Sequence, residues 1–153
     1  MQKLLDLLDE ANVIYDLQAS TVESIVTEMV EKCVATGSLA EKNKDKLIAS
    51  LIQREKSMST GIGGGIAIPH CSVDYLESSL TVLALSKQGL DFAAIDKKPV
   101  HIFVMLVVPK NKFQDHIKTL ALIAKTLGHE DENEELIQAT NFLEVKNALQ
   151  EKQ

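Results

Sequence analysis

His70 closes the run Ser59-Thr60-Gly61-Ile62-Gly63-Gly64-Gly65-Ile66-Ala67-Ile68-Pro69-His70, and it is the residue best equipped for chemistry. A neutral imidazole is a competent nucleophile near pH 7, and its pKa responds readily to its neighbours. One ring nitrogen can attack phosphorus while a hydrogen bond holds the other. Phosphoryl transfer asks mainly for positioning and charge stabilisation. Four of the seven glycines fall within five positions just upstream. Glycine lets backbone come close to a ligand, and successive backbone N–H groups suit an anion. Thr60, Gly61 and Gly63 are therefore candidate phosphoryl-pocket residues. The Thr60 hydroxyl is a candidate donor to His70 or to the phosphate. Arg54, the only arginine, lies shortly before the glycines, and His116 opens a downstream helix. Either can balance phosphoryl charge.

Other chemistries lack their residues. The glycine run has no Gly-Lys-Ser/Thr ending, so it is not a nucleotide P-loop. Gly61-x-Gly63-x-x-Ile66 misses the third glycine of a dinucleotide fingerprint and leads into a strand. Neither His-Glu-x-x-His nor Gly-x-Ser-x-Gly occurs. Cys71 beside His70 invites a Cys-His nucleophile, but adjacent strand residues point to opposite faces. A small hydrolase using that pair is the weakest reading. His101 is expected to be structural and His129 solvated.

The elements that must position these groups alternate between helix and strand. A short amphipathic turn covers residues 3–9, and Asn12 to Asp16 reads as a strand. Ser20-Thr21-Val22-Glu23 has capping-box spacing, so a helix starts there and Gly37 stops it. A second helix spans Lys42 to Glu55, with Leu47, Ile48, Leu51 and Ile52 as its stripe. The glycine loop and a strand at Ile66 to Ile68 follow. Leu80 to Ser86 and His101 to Val108 read as strands covered on both faces. Gly89 to Val100 between them reads as loop and turn. Asp115 to Leu127 is a helix with Ile117, Leu120, Ala121, Ile123, Ala124 and Leu127 facing inward. Short helices at Glu134 to Ala139 and from Asn141 to Leu149 end the chain. This order predicts an α/β fold with a mixed β-sheet between helices, in a single domain over 1–153.

Bulk composition narrows the partners. With 153 residues, 45% hydrophobic and 25% charged, the chain is ordinary for a globular domain. Its net charge of -6 argues against a nucleic-acid partner. Two cysteines without a CxxC suggest neither a disulfide framework nor a zinc site, and the cytoplasm is the expected compartment. No apolar run approaches membrane-spanning length, so a membrane-inserted protein is not expected.

Arg54-Glu55, Ser59 to Gly63 and Gly65 to His70 together resemble the signature of the fructose/mannitol/nitrogen class of enzyme IIA domains. These belong to the bacterial phosphoenolpyruvate-dependent phosphotransferase system. Asp96-Lys97-Lys98-Pro99-Val100 and His116-Ile117-Lys118-Thr119-Leu120-Ala121 are similar to two further blocks of that family, in the right order. The resemblance runs from about Leu5 to Leu149. It implies the type-2 IIA fold of mannitol and fructose members. It implies that His70 accepts a phosphoryl group through Nε2 from the phosphocarrier HPr or its nitrogen-branch counterpart. In sugar-transporting members the group then passes to a cysteine of a IIB domain. In nitrogen-branch members the phosphorylation state regulates binding to kinases, channels or transcriptional proteins. Arg54 and His116 are implied to flank the phosphorylated ring, with no metal and no organic cofactor. Cys71-Ser72 and Gly64 depart from the more usual family residues, which leaves the partner open, and a homodimer is left open too.

Overall fold

A computed structural model describes residues 2–152; Met1 and Gln153, the two ends of the expected single domain, lie outside the described residues. The element order is α1 (Leu4–Leu7), β1 (Val13–Ile14), α2 (Val22–Ala35), α3 (Lys44–Ser57), β2 (Gly61–Gly63), β3 (Ile66–Ala67), β4 (His70–Val73), β5 (Leu80–Leu90), β6 (Val100–Pro109), α4 (Phe113–Leu127), α5 (Glu134–Ile137) and α6 (Phe142–Gln150). Six strands form one mixed sheet in the order β1-β5-β6-β3-β2, with β4 also on β6. β5 and β6 run antiparallel, whereas β1 joins β5 and β3 and β4 join β6 in parallel.

The two long strands separate the two cores. Val82 and Ala84 of β5, with Phe103, Met105 and Val107 of β6, pack with Ile25, Met29, Leu47 and Leu51 of α2 and α3. Their alternates, Leu83 and Leu85 with Ile102 and Val104, pack with Leu4, Ile123, Leu136 and Val145 of the other helices. Period-two alternation explains the split: successive side chains leave opposite faces of a strand. Both faces are covered, so these strands read as unbroken apolar runs. The expected mixed sheet between helices is the observed fold.

Local chemistry sets the helix ends. The Thr21 side chain accepts from the Ser24 N–H, and Ser24 Oγ accepts from the Thr21 N–H. The reciprocal box is therefore Thr21–Ser24, one residue later than Ser20–Glu23. Asn141 Oδ1 accepts from the Glu144 N–H at 3.0 Å and starts α6 as anticipated. α2 ends at Ala35, just before Gly37, and α3 runs two residues beyond Glu55.

Three expectations require correction. β5 continues through Gly89 to Leu90 by way of a register irregularity, so the loop starts later than Gly89. The glycine run is not a loop feeding one strand. Gly61–Gly63 is itself an edge strand of the sheet, and Gly64-Gly65 turns it into β3. Both turn residues have positive φ, 69° and 80°, as a two-residue hairpin of this hand requires. Finally, Ile117 and Ala121 of α4 do not face inward. The buried line is His116, Ile123 and Leu127, with Leu120 half-buried between them. His116 takes an apolar slot in the i, i+4, i+7, i+11 stripe, and that rotation turns Ile117 outward.

Candidate functional site

An interruption in one strand presents His70. β3 and β4 hold the same register on β6: Ile66 pairs with Ile102, Ala67 with Phe103, His70 with Leu106 and Cys71 with Val107. Ile68-Pro69 breaks the strand without shifting it. Proline has no N–H to give a ladder, yet its carbonyl still accepts from the Leu106 N–H at 2.9 Å. His70 therefore begins a strand rather than ending one.

The break also frees an acceptor for the ring. His70 Nδ1 lies 2.6 Å from the Ile68 carbonyl oxygen. Only a protonated Nδ1 can donate there, so that bond places the lone pair of a neutral ring on Nε2. Arg54 Nη2 lies 3.5 Å from His70 Nε2, while Arg54 Nη1 donates to the Met58 carbonyl at 2.7 Å. The second bond anchors the guanidinium at the end of α3. The His116 ring sits 5.1 Å from the His70 ring, centroid to centroid, tilted by 51°. His116 is 5% exposed, and its Nδ1 is buried with no hydrogen-bond partner among the described residues.

Burial and nearby positive charge disfavour protonation of both rings. Burial lowers the His70 pKa, opposed by the Ile68 bond and reinforced by Arg54. Burial likewise lowers that of His116, and His70 and Arg54 lower it further. Two imidazoles beside a guanidinium resist protonation because each added proton meets positive charge in a partly desolvated site. Burial pushes the neighbouring Cys71 thiol up to about 11, which leaves no thiolate for a Cys-His pair.

A shallow cavity of about 470 Å³ opens beside these groups, lined by Arg54, His70, Cys71, Ser72, Phe113, His116, Ile117 and Leu120. Phe113 and Ile117 on its rim are 54% and 53% exposed. The structure thus brings together His70, His116 and Arg54 from three distant stretches of sequence.

The proposed pocket residues Thr60, Gly61 and Gly63 lie elsewhere. Thr60 is buried, and its hydroxyl donates to Glu55 Oε1 rather than to His70; its N–H donates to Glu55 Oε2 at 3.0 Å. Gly61 backs onto the Asp91–Pro99 loop, where a Cβ would come within 2.7 Å of Ala94. The Gly64 N–H donates to Asp96 Oδ2 at 3.1 Å. None of these glycines lines the cavity beside His70. The cluster serves close packing of a hairpin on a loop, not an anion cradle.

Sequence reasoning left Glu55 and the rim without roles. Glu55 is 7% exposed, and burial raises its pKa against the two Thr60 bonds and Arg54. It ties the end of α3, and hence Arg54, to the start of β2. A lone glutamate in line with the buried Leu47 and Leu51 was the available signal. For Phe113 and Ile117 the signal was apolar residues flanking His116 off its stripe.

The sheet, the interrupted strand and the His-His-Arg cluster form the arrangement that phosphoryl transfer to a histidine requires. The chain belongs to the family "Phosphoenolpyruvate-dependent sugar phosphotransferase system, EIIA 2", whose match covers residues 6–152. It is 32% identical over 132 residues to the "PTS system fructose-specific EIIA component" of Haloferax volcanii, covering 86% of this chain and 84% of that one. Its fold matches the nitrogen regulatory protein IIA-Ntr from Neisseria meningitidis with a TM-score of 0.84, at 25% identity over 95% of this chain and 98% of that one. It also matches the Escherichia coli mannitol enzyme IIA solved in complex with phosphorylated enzyme IIB, with a TM-score of 0.76 at 22% identity, over 94% and 97% of the two chains. No helix among the described residues is long and apolar enough to cross a membrane.

Proposed function

We propose that this protein is a cytoplasmic phosphoryl carrier in which His70 Nε2 is the transient acceptor. The observation that carries the reading is the Nδ1–H bond to the Ile68 carbonyl, which turns the Nε2 lone pair toward Arg54. The donor is an HPr-type carrier bearing a phosphohistidine. The Nε2 lone pair attacks phosphorus, a new N–P bond forms, and the donor's N–P bond breaks with its electron pair returning to the donor ring. Positive charge builds on the His70 ring, and the Ile68 carbonyl stabilises it. The proton stays on Nδ1 throughout.

Arg54 neutralises the phosphoryl oxygens, and a guanidinium suits them geometrically. His116 offers its unpartnered Nδ1 to the same group. Onward transfer, to a IIB cysteine, repeats the displacement with a thiolate as nucleophile. The exposed Phe113 and Ile117 give each visiting partner an apolar rim, and the openness of the cavity lets it leave.

A regulatory reading shares this chemistry. There the phosphorylation state of His70 changes affinity for a kinase, channel or transcriptional protein. The fold match to IIA-Ntr supports it, and the sequence match to the fructose component supports sugar transfer.

Incubation with phosphoenolpyruvate, enzyme I and HPr tests the acceptor. The protein should gain one acid-labile, base-stable phosphoryl group, detected by intact mass. Equal labelling of His70→Ala would refute the assignment.

A further inference from the structure

A second cavity, of about 530 Å³, lies at the other end of α4 from His116. Lys3, Lys125, Lys152 and His129 line it, and Leu4 and Leu122 supply its apolar wall. Lys125 is nine residues beyond His116, roughly 14 Å along the helix at 1.5 Å per residue. The two sites have no lining residue in common.

Its lysines have no acidic side chain within ion-pair distance among the described residues. The Lys152 Nζ is buried, with no hydrogen-bond partner among the described residues. Lysine ordinarily lays its stem on apolar surface and keeps its ammonium in water. Here the ammonium is withdrawn instead, and a buried cation without a partner is strongly unfavourable. Neither Lys3 nor Lys125 has an acidic side chain within ion-pair distance among the described residues; the ion pair seen there is Lys44–Glu31 at 3.1 Å. Glu132 is the one acid on the cavity wall, and it is exposed. In a chain of net charge -6, three lysines around one hollow run against the general field.

We propose that this cavity binds a small organic anion, with a carboxylate or phosphate head held by Lys125 and Lys152 and an apolar body against Leu4 and Leu122. The volume suits such a ligand, and a mostly apolar pocket with a few convergent polar groups is the usual form of a small-molecule site. The buried ammonium gains a partner when the head group enters.

Amide NMR titration of the full chain tests this with phenyl phosphate, benzoate and inorganic phosphate as probes. At least one aromatic probe should give saturable shifts at Leu4, Leu122, Lys125 and Lys152, and should bind more tightly than inorganic phosphate. Lys152→Met should weaken it by about tenfold, the loss expected of one charge-assisted bond. That variant should label at His70 like the parent, which shows it folded. Four results would overturn the proposal: no saturation of either aromatic probe by about 10 mM, a range in which even weak sites fill; shifts confined to Arg54, His70 and His116; inorganic phosphate binding as tightly as both aromatic probes; or parent-like affinity in both Lys152→Met and Lys125→Met.

Discussion

His70 and His101 make the same first contact and diverge at the second nitrogen. Each half-buried ring directs Nδ1 at a backbone carbonyl, Ile68 at 2.6 Å and Ser86 at 2.9 Å. Each sits at the start of a strand in the same sheet. For His101 the far edge of the ring is against backbone: a Cβ on Gly89 would lie 2.9 Å from Cε1 and 3.0 Å from Nε2. For His70 the far edge meets a guanidinium, a second imidazole and an open cavity. Fixing a tautomer is therefore common structural practice. On the proposed function, what surrounds the second nitrogen separates a nucleophile from a packing residue.

The largest test of that comparison replaces both rings by asparagine, whose amide nitrogen can imitate Nδ1. His70→Asn should abolish phosphoryl acceptance, because no nucleophilic nitrogen remains. His101→Asn should accept within about twofold of the parent, since the lost edge does no chemistry. Labelling by phospho-HPr, followed by intact mass, reads both. Comparable losses in the two variants would erase the distinction.

Arg54→Met comes next. Removing the guanidinium beside the proposed acceptor nitrogen should slow acceptance by about a hundredfold, the scale seen when a preorganised donor is removed. Arg54→Lys should recover only part of the rate, because a point charge lacks the planar fork. Rapid-quench transfer from phospho-HPr measures both.

The packing side is tested at Gly89. Its φ is 84°, and an added Cβ would lie 2.8 Å from Pro99 Cβ as well as against His101. Gly89→Ala should cost about 1–3 kcal/mol in chemical denaturation, through overpacking and the disfavoured backbone. Labelling at His70 should not change once the variant is folded.

The same contrast explains what was legible in the sequence. The long strands announced themselves because both faces of β5 and β6 are buried. His70, His116 and Arg54 were legible as residue types, although only folding joins α3, β4 and α4. The glycine run misled because close packing and anion binding both favour glycine. Gly61 and Gly64 spend their freedom on Ala94 and Asp96, contacts more than thirty residues away. Ile117 was misread for a related reason: its neighbour His116 is polar, so the stripe was drawn through the wrong residue. Glu55 went without a role because a buried carboxylate is recognised by its partner, and Thr60 was assigned elsewhere.

The smallest expected effect is a shift in titration. In the folded protein the pKa values of His70 and His116 both lie below the ordinary imidazole value of about 6.5. Above that value folded and unfolded chains are both neutral at these rings, and the stabilisation is fully present. As pH falls below it, the unfolded rings take up protons first, so stability drops until the folded rings titrate too. On the proposed mechanism acceptance follows the folded pKa instead, because a protonated Nε2 has no lone pair to attack with. Ring-proton NMR of the parent should therefore place the His70 midpoint below 6.5. Arg54→Met removes one cause of the lowering and should raise that midpoint, while burial keeps it from rising fully to the free value. A midpoint unmoved by Arg54→Met would mean that burial and the Ile68 bond tune His70 without the guanidinium. The guanidinium would then act on the phosphoryl group and not on the nucleophile.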